Sequence, residues 1–537
     1  MHMSANVPTS VDTVVVGAGF AGLYMLHRLR KQDMSAIVFE AAEGVGGTWF
    51  WNRYPGARVD IESLEYCYSF SSALDEEWQF SEKYATQPEL LRYLNHVADR
   101  FDLRRDICFN TRVTTATFDE KAKHWIVTTD KGHKVTARAV VMATGCLSVP
   151  KDPDFKGLNA FKGKSYFTSR WPHEPVDFSG SNVAVIGTGS SGIQSIPEIA
   201  KQAKHLTVFQ RTPNYSVPAL NGTIDPMEQE LWKLNRPRFR AQAAASGFGI
   251  RFIMSEERLL METPEAERER IFEERWKKGG FAILGGFADT GINEEANAVA
   301  ADFFARKINA TVKDPRTADL LTPKTYPLGT KRLCVDTDYY ATYNRTNVSL
   351  VDVSQAHIEE ITTVGIRTAA QDYKFDAIVY AIGFDAMTGA LDKVDITGRG
   401  GLKLKQKWAQ GPKTYLGLSI AGFPNLFTVT GPGSPSVLSN MAPTIEQHVD
   451  WIARALSDLT ARRKQTMEAT QEAEDAWVAH VNEVANMTLY PKANSWYMGA
   501  NVPGKPRVFL PYVGGVPAYR QKCAEVANNG YEGFELA

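Results

Sequence analysis

The sequence predicts an α/β fold: two Rossmann-like dinucleotide-binding domains with an inserted helical subdomain. Glycine-rich turns, GAGFAG at 17–22 and GTGSSG at 187–192, each follow an apolar β-type run and open a helical pattern. Two later apolar segments, AVVMATG at 139–145 and FDAIVYAIGFD at 375–385, echo each other in the two halves. Between the halves, residues from about Pro226 to Asp319 are charged and helix-forming, as in PEAERERIFEERWKK.

The elements follow in order. A strand at 13–16 leads through the first glycine turn and a helix to a strand at 36–39, then to a strand pair near 125–129 and to AVVMATG. That last segment ends in a glycine turn, where a parallel strand reaches the ligand crevice. A proline-rich stretch at 149–153 reads as a linker before the second glycine turn, whose βαβ unit breaks off after Pro218. Inside the helical insertion, GGFAILGGF reads either as a packing bend or as a lid element. Strand signals resume at 348–353 and 375–385, and NLFTVTGPG at 425–433 runs from a strand into a tight turn with a helix behind it at 444–459.

The two turns differ in the charge that follows them. Twenty-three residues after the first glycine stands Glu40 in one unit, but Gln210 in the other, with Arg211 next. An acidic residue there takes ribose hydroxyls, and a basic one accommodates a 2′-phosphate. Gly17, Gly19, Gly22 and Glu40 are therefore expected to hold FAD, and Gly187, Thr188, Gly189, Ser190, Gly192 and Arg211 to hold NADP(H). The expected organisation is a first part of the FAD domain at 1–148, a linker and first part of the NADP domain at 149–222, the helical insertion at 223–328, the rest of the NADP domain at 329–384, and the rest of the FAD domain with a C-terminal loop region at 385–537.

Composition narrows the function classes. A chain of 537 residues suits two to four domains, and 44% hydrophobic with 23% charged residues is ordinary globular composition. A formal net charge of -1 gives no support for nucleic acid or an anionic membrane as partner. The longest apolar runs fall well short of the roughly 20 residues a membrane span needs. The opening MHMSANVPTS lacks the pattern of a secretory signal, so a cytoplasmic location is expected. The five cysteines, Cys67, Cys108, Cys146, Cys334 and Cys523, form no CxxC pair, which argues against a redox-active disulfide or a zinc site.

Beyond the first turn lies GGTWFWNRYPGARVD at 46–60. Trp49, Trp51 and Tyr54 supply broad aromatic surface, and Pro55 and Gly56 fix a turn, a combination suited to a wall around a planar ring system. Asp60 places a carboxylate just past that turn. The segment resembles the second fingerprint of type I Baeyer-Villiger monooxygenases, (A/G)GxWxxxx(F/Y)P(G/M)xxxD, at every specified position, which adds Gly47, Thr48 and Trp49 to the expected FAD contacts. The flanking RYPGARVDIESLEYCYSF, GTKRLCVDTDYY and GPGSPSVLSNM resemble the phenylacetone and cyclic ketone branch of that family. The family's other fingerprint, FxGxxxHxxxW(P/D), is met by FKGKSYFTSRWP at 161–172 except that Phe167 stands in place of the histidine. That substitution removes a titratable hydrogen-bonding group from the linker between the nucleotide domains.

The resemblance implies an NADPH- and O2-dependent flavin monooxygenase that converts a ketone to an ester or lactone through a flavin peroxide. It implies Lys331 on the NADP 2′-phosphate beside Arg211, Arg332 beside the flavin paired with Asp60, and Trp496 in KANSWYMG covering the NADP. Ser436, Val437 and Leu438 match the stretch that shapes the substrate pocket, with side chains that admit a bulky apolar ketone. A fixed guanidinium favours developing negative oxygen because it cannot lose its proton. The expected partners are thus a small-molecule ketone and O2, for a protein working as a monomer or weak oligomer. Two other readings share the nucleotide domains: a flavin-dependent N- or S-oxygenase, and a non-catalytic FAD/NADP-binding redox sensor.

Overall fold

The computed structural model describes residues 7–253 and 257–537, so the first six residues of the opening segment lie outside it. Strand β1 (Ser10–Val16) carries the β-branched run TVVV into the core and stops at Gly17. Helix α1 (Phe20–Arg30) follows the turn, and β2 (Ala36–Phe39) pairs parallel with β1. The chain adds β3 (Ile107–Cys108) beside β2, then β4 (Val113–Asp119), β5 (His124–Thr129) and β6 (Lys134–Met142). β6 serves three neighbours. It lies parallel to β1 along its length, while its first half pairs antiparallel with β5.

A second sheet begins with β7 (Lys164–Phe167) and β8 (Asn182–Ile186). The second glycine turn leads from β8 into α2 (Ser190–Gln202) and back to β9 (His205–Gln210), parallel to β8. The chain then leaves the sheet for α3 (Pro226–Ala245), α4 (Glu265–Lys278) and α5 (Glu294–Thr311). It returns as β10 (Val348–Asp352) and β11 (Ala377–Tyr380), completing an all-parallel sheet in the order β10-β9-β8-β11-β7.

The last third goes back to the first sheet. Strand β12 (Asp395–Thr397) pairs with β4, and β13 (Leu426–Thr428) lies parallel to the second half of β6. Helix α6 (Met441–Ala461) packs on α1, burying Ile445, Val449, Ile452 and Leu456 at helical spacing. The two sheets, the first mixed and the second all parallel, form with their crossover helices the expected α/β architecture. GGFAILGGF is a buried 3-10 turn spanning Gly280–Gly285, wedged beside Ser216–Pro218 and packed on α4. Among the described residues no helix is long and apolar enough to cross a membrane. The cysteines are free, with Cys67 half-buried and the other four buried.

Candidate active site

The first turn is formed by backbone. Gly17 sits at φ +103 and donates its N–H to the Phe39 carbonyl at 2.9 Å. A Cβ on Gly17 would lie 2.6 Å from the Ala143 carbonyl oxygen, and one on Gly22 would land on the Gly17 carbonyl oxygen. Helix α1 starts after Gly19 with no side-chain cap, which leaves its first N–H groups facing the crevice. Glu40 lies beneath this turn, buried, with Oε2 accepting the Ala18 N–H and Oε1 the Ala42 N–H, both at 2.7 Å. Burial raises its pKa against the opposing effect of those N–H groups. Gly46 and Gly47 close over the turn: the Gly46 N–H reaches the Ala18 carbonyl at 3.0 Å, and a Cβ on Gly47 would lie 3.0 Å from the Gly19 Cα.

The aromatics after it divide. Thr48 opens the single helical turn Thr48–Trp51, which buries Trp49 edge-on to Tyr66 at 5.9 Å between ring centroids. Trp51, expected in a wall around a planar ring, is instead 37% exposed, because it falls on the outer side of that one-turn helix. Tyr54 faces the other domain, where its hydroxyl donates to Gln194 Oε1 on α2 at 2.9 Å.

The second turn repeats the first with an open top. Gly187 donates to the Phe209 carbonyl at 3.0 Å, and Cβ atoms on Gly187 and Gly192 would strike the Ala381 and Gly187 carbonyl oxygens. Helix α2 also begins without a side-chain cap, and a Cβ on Gly189 would meet nothing within 4 Å. Thr188 Oγ1 donates to the Thr212 carbonyl at 3.1 Å, and Ser190 Oγ lies 3.4 Å from Cys334 Sγ. Gln210 is buried and its amide donates to the Leu320 carbonyl at 2.8 Å, so the next residue, exposed Arg211, holds the rim. Lys331 stacks its ammonium on the Tyr326 ring at 4.4 Å, and burial followed by the charge of Arg211 lowers its pKa. Lys151, in the linker, is subject to the same two effects. None of these three cations makes an ion pair among the described residues. Lys151 was not singled out from the sequence, where one lysine in a proline-rich linker has no signature.

Between the turns the chain brings Asp60 and Arg332 together. Arg332 donates Nη2 and Nε to Asp60 Oδ2 at 2.7 and 3.1 Å, and Nη1 to the Val437 carbonyl at 2.8 Å. Its guanidinium also lies over the Phe281 ring at 4.9 Å. Burial alone would lower the Arg332 pKa, but the Asp60 carboxylate overrides it and raises it further. Three of the five guanidinium N–H groups are thus committed to Asp60 and Val437, and the buried Tyr497 hydroxyl lies within reach of the same guanidinium.

Ser436–Leu438 form one 3-10 turn. Ser436 is fully buried with its hydroxyl on the Thr430 carbonyl at 3.2 Å, Val437 is buried, and Leu438 is half-buried. Trp496 is half-buried against Tyr497 at 4.3 Å, in a C-terminal segment tied to the stretch after β11 by Asn501 on the Phe384 carbonyl at 2.7 Å and by the Lys505–Asp385 ion pair. Phe281, Tyr497 and Tyr66 complete the surroundings of the pair. Each lies in a segment the sequence singled out, Phe281 in GGFAILGGF, Tyr66 in RYPGARVDIESLEYCYSF and Tyr497 in KANSWYMG, but none was itself picked as a site residue. Phe167, at the end of edge strand β7, stacks on Tyr380 at 4.8 Å and 15° between planes.

The donor set fits two dinucleotides: two uncapped helix N-termini at glycine turns, a buried carboxylate at one ribose position and unpaired cations at the other. Comparison with known proteins agrees. The family model "Pyridine nucleotide-disulphide oxidoreductase" matches residues 14–246. A Baeyer-Villiger monooxygenase of Pseudooceanicola batsensis is 44% identical over 98% of this chain and 96% of its own. The solved structure of an oxidized steroid monooxygenase bound to NADP is 52% identical, with a TM-score of 0.95 over 98% of this chain and 99% of that one. That of OTEMO in complex with FAD and NADP is 43% identical, with a TM-score of 0.95 over 98% and 99%.

Proposed function

The chain belongs to the Baeyer-Villiger monooxygenases, FAD-containing, NADPH- and O2-dependent enzymes that insert one oxygen next to a ketone carbonyl, and from that premise we propose that Arg332 and Asp60 carry its chemistry. Bound FAD would supply hydride acceptance from NADPH and activation of dioxygen, one atom of which would enter the ketone to give an ester or lactone while the other leaves as water. Gly17, Gly19, Gly22, Glu40, Gly47, Thr48 and Trp49 hold the flavin nucleotide, with the N-terminus of α1 toward its diphosphate. Gly187, Thr188, Gly189, Ser190 and Gly192 hold the NADPH diphosphate, Arg211 and Lys331 its 2′-phosphate, and Trp496 covers it. Ser436, Val437 and Leu438 shape the ketone pocket from one turn.

The observation that carries this reading is the bonding of Arg332. Asp60 and the Val437 carbonyl hold the guanidinium from two directions, while its high pKa keeps it charged. A fixed cation of this kind stabilises negative oxygen as it develops at the ketone, and reorganises little when it does so. The same reading takes a small-molecule ketone and O2 as partners, with a cytoplasmic enzyme that works as a monomer or weak oligomer. A formal net charge of -1 offers no electrostatic pull toward nucleic acid or an anionic membrane.

The test is Arg332→Ala. Loss of a preorganised donor costs about 3 kcal/mol, or roughly a hundredfold, in the oxygenation step. NADPH-driven bleaching of the flavin should persist while ester formation from a ketone panel is lost. Ester formed at the wild-type rate would overturn the assignment.

A further inference from the structure

Helix α6 carries a histidine, His448, with no solvent exposure. Both of its ring nitrogens are bonded. Nδ1 accepts the Thr430 backbone N–H at 2.9 Å, and Nε2 lies 2.9 Å from the Tyr519 hydroxyl, which donates to the Leu416 carbonyl at 2.7 Å. This chain of bonds admits one tautomer, with Nδ1 bare and the hydrogen on Nε2 given to the tyrosine oxygen. Burial pushes the ring pKa down to about 3, which keeps that neutral form in place.

The backbone it secures is unusual. Thr430, bonded directly, and Leu416, reached through Tyr519, both hold left-handed φ angles, +56 and +59. A side chain disfavours that region, so each conformation persists only where neighbours over-determine it. Ser436 is a third such residue, at φ +43, and its hydroxyl donates to the Thr430 carbonyl at 3.2 Å. The carbonyl of the very next residue, Val437, is the one that receives Arg332 Nη1. A continuous path of hydrogen bonds and backbone therefore runs from His448 through Thr430 and Ser436 to Val437 and Arg332.

We infer that His448 is a positioning residue for oxygen transfer: its Nδ1 fixes Thr430, and through Ser436 and the Val437 carbonyl it sets where the Arg332 guanidinium stands. The inference rests on the reading of Arg332 given above. It assigns His448 no contact with substrate or flavin.

Two variants of similar size separate its two bonds. His448→Asn puts a side-chain oxygen near the place of Nδ1 and gives up Tyr519; His448→Gln reaches toward Nε2 and leaves the Thr430 N–H unpartnered. A buried donor without a partner is costly enough that the glutamine variant should lose about fivefold or more in ester formed per NADPH, with hydrogen peroxide rising in its place. The asparagine variant should stay within about twofold of wild type, and flavin reduction by NADPH should be unchanged in both. Amide hydrogen exchange, read without NADPH or ketone, should rise across 426–440 in the glutamine variant alone. Equal behaviour of the two variants, or looser exchange with wild-type ester yield, overturns the inference. If the glutamine variant does not fold with FAD, Tyr519→Phe removes only the Nε2 bond and leaves Nδ1 on Thr430, so it should match His448→Asn in ester yield and in exchange across 426–440; a loss of ester of about fivefold or more there, with exchange across 426–440 unchanged, overturns the inference. Arg332→Ala run in parallel identifies which step fails. Ester from that variant sinks the reading of Arg332 and this inference with it, whereas ester lost there but kept in His448→Gln sinks only the positioning role.

Discussion

The two glycine turns share one plan up to the second glycine and diverge above it. Strands β6-β1-β2 and β11-β8-β9 surround them in the same order, and in each the first glycine lies under an alanine carbonyl, from Ala143 or Ala381. In the first, Gly47 covers Gly19 and the ribose-position carboxylate of Glu40 is buried with both oxygens bonded. In the second, a Cβ on Gly189 would meet nothing within 4 Å, Gln210 is turned aside to Leu320, and Arg211 and Lys331 rim the opening with no carboxylate partner among the described residues. The difference matches two modes of holding a nucleotide. A covered turn suits a cofactor that stays through many turnovers, and an open turn with free cations suits one that must leave after each.

Alanine at the third glycine of the first turn breaks this most severely. Gly22→Ala drives a methyl into the Gly17 carbonyl, and because both atoms belong to fixed backbone the helix must move. Purified protein should lack the yellow colour of bound FAD and melt well below wild type. Gly189→Ala, at the second glycine of the open turn where the two sites diverge, is the contrasting change. Its φ of -81 suits alanine and its Cβ meets only space, so the fold and FAD content should survive while KM for NADPH rises about tenfold, since the methyl occupies the diphosphate approach. A Gly189→Ala protein that also loses FAD would erase the distinction between the turns.

The cations set a smaller effect. Arg211→Ala should raise KM for NADPH about tenfold with little change for NADH, because the lost contact is to a phosphate that NADH lacks. Lys151→Met should move the same ratio severalfold less, as its charge approaches from the linker. Steady-state kinetics with both nucleotides reads these effects, and parallel losses with NADH would remove the 2′-phosphate from the argument.

The sequence displayed this architecture unevenly. Both turns and the contrast of Glu40 with Arg211 were legible because their chemistry lies in consecutive backbone and at one fixed spacing. The Asp60 and Arg332 pair is separated by 272 positions, and only the resemblance to a known family pointed to it. Trp51 was misplaced because a helix of four residues gives no periodicity from which to read its buried side. What holds Arg332 from the other direction is a backbone carbonyl, at Val437, and a carbonyl leaves no mark on residue identity. His448 lies on a strongly apolar helix face, where a histidine reads as ordinary core until its two bonds are seen.

Phe167 affords the finest test of the contrast, since it lies on the NADP side alone. It closes β7 at the edge of the second sheet, in register with Tyr380, and fills its slot by stacking, with no hydrogen-bonding atom to offer the linker. A histidine fits the same stacked space and restores a donor and an acceptor between the domains. Phe167→His should therefore leave FAD content, melting temperature and flavin reduction unchanged. Hydrogen peroxide formed per NADPH should fall by about twofold as the open side holds its nucleotide longer through the reaction. An unchanged peroxide yield would mean that stacking alone does what the linker needs. A change in FAD content would mean that the two sides are less separate than their glycine turns imply.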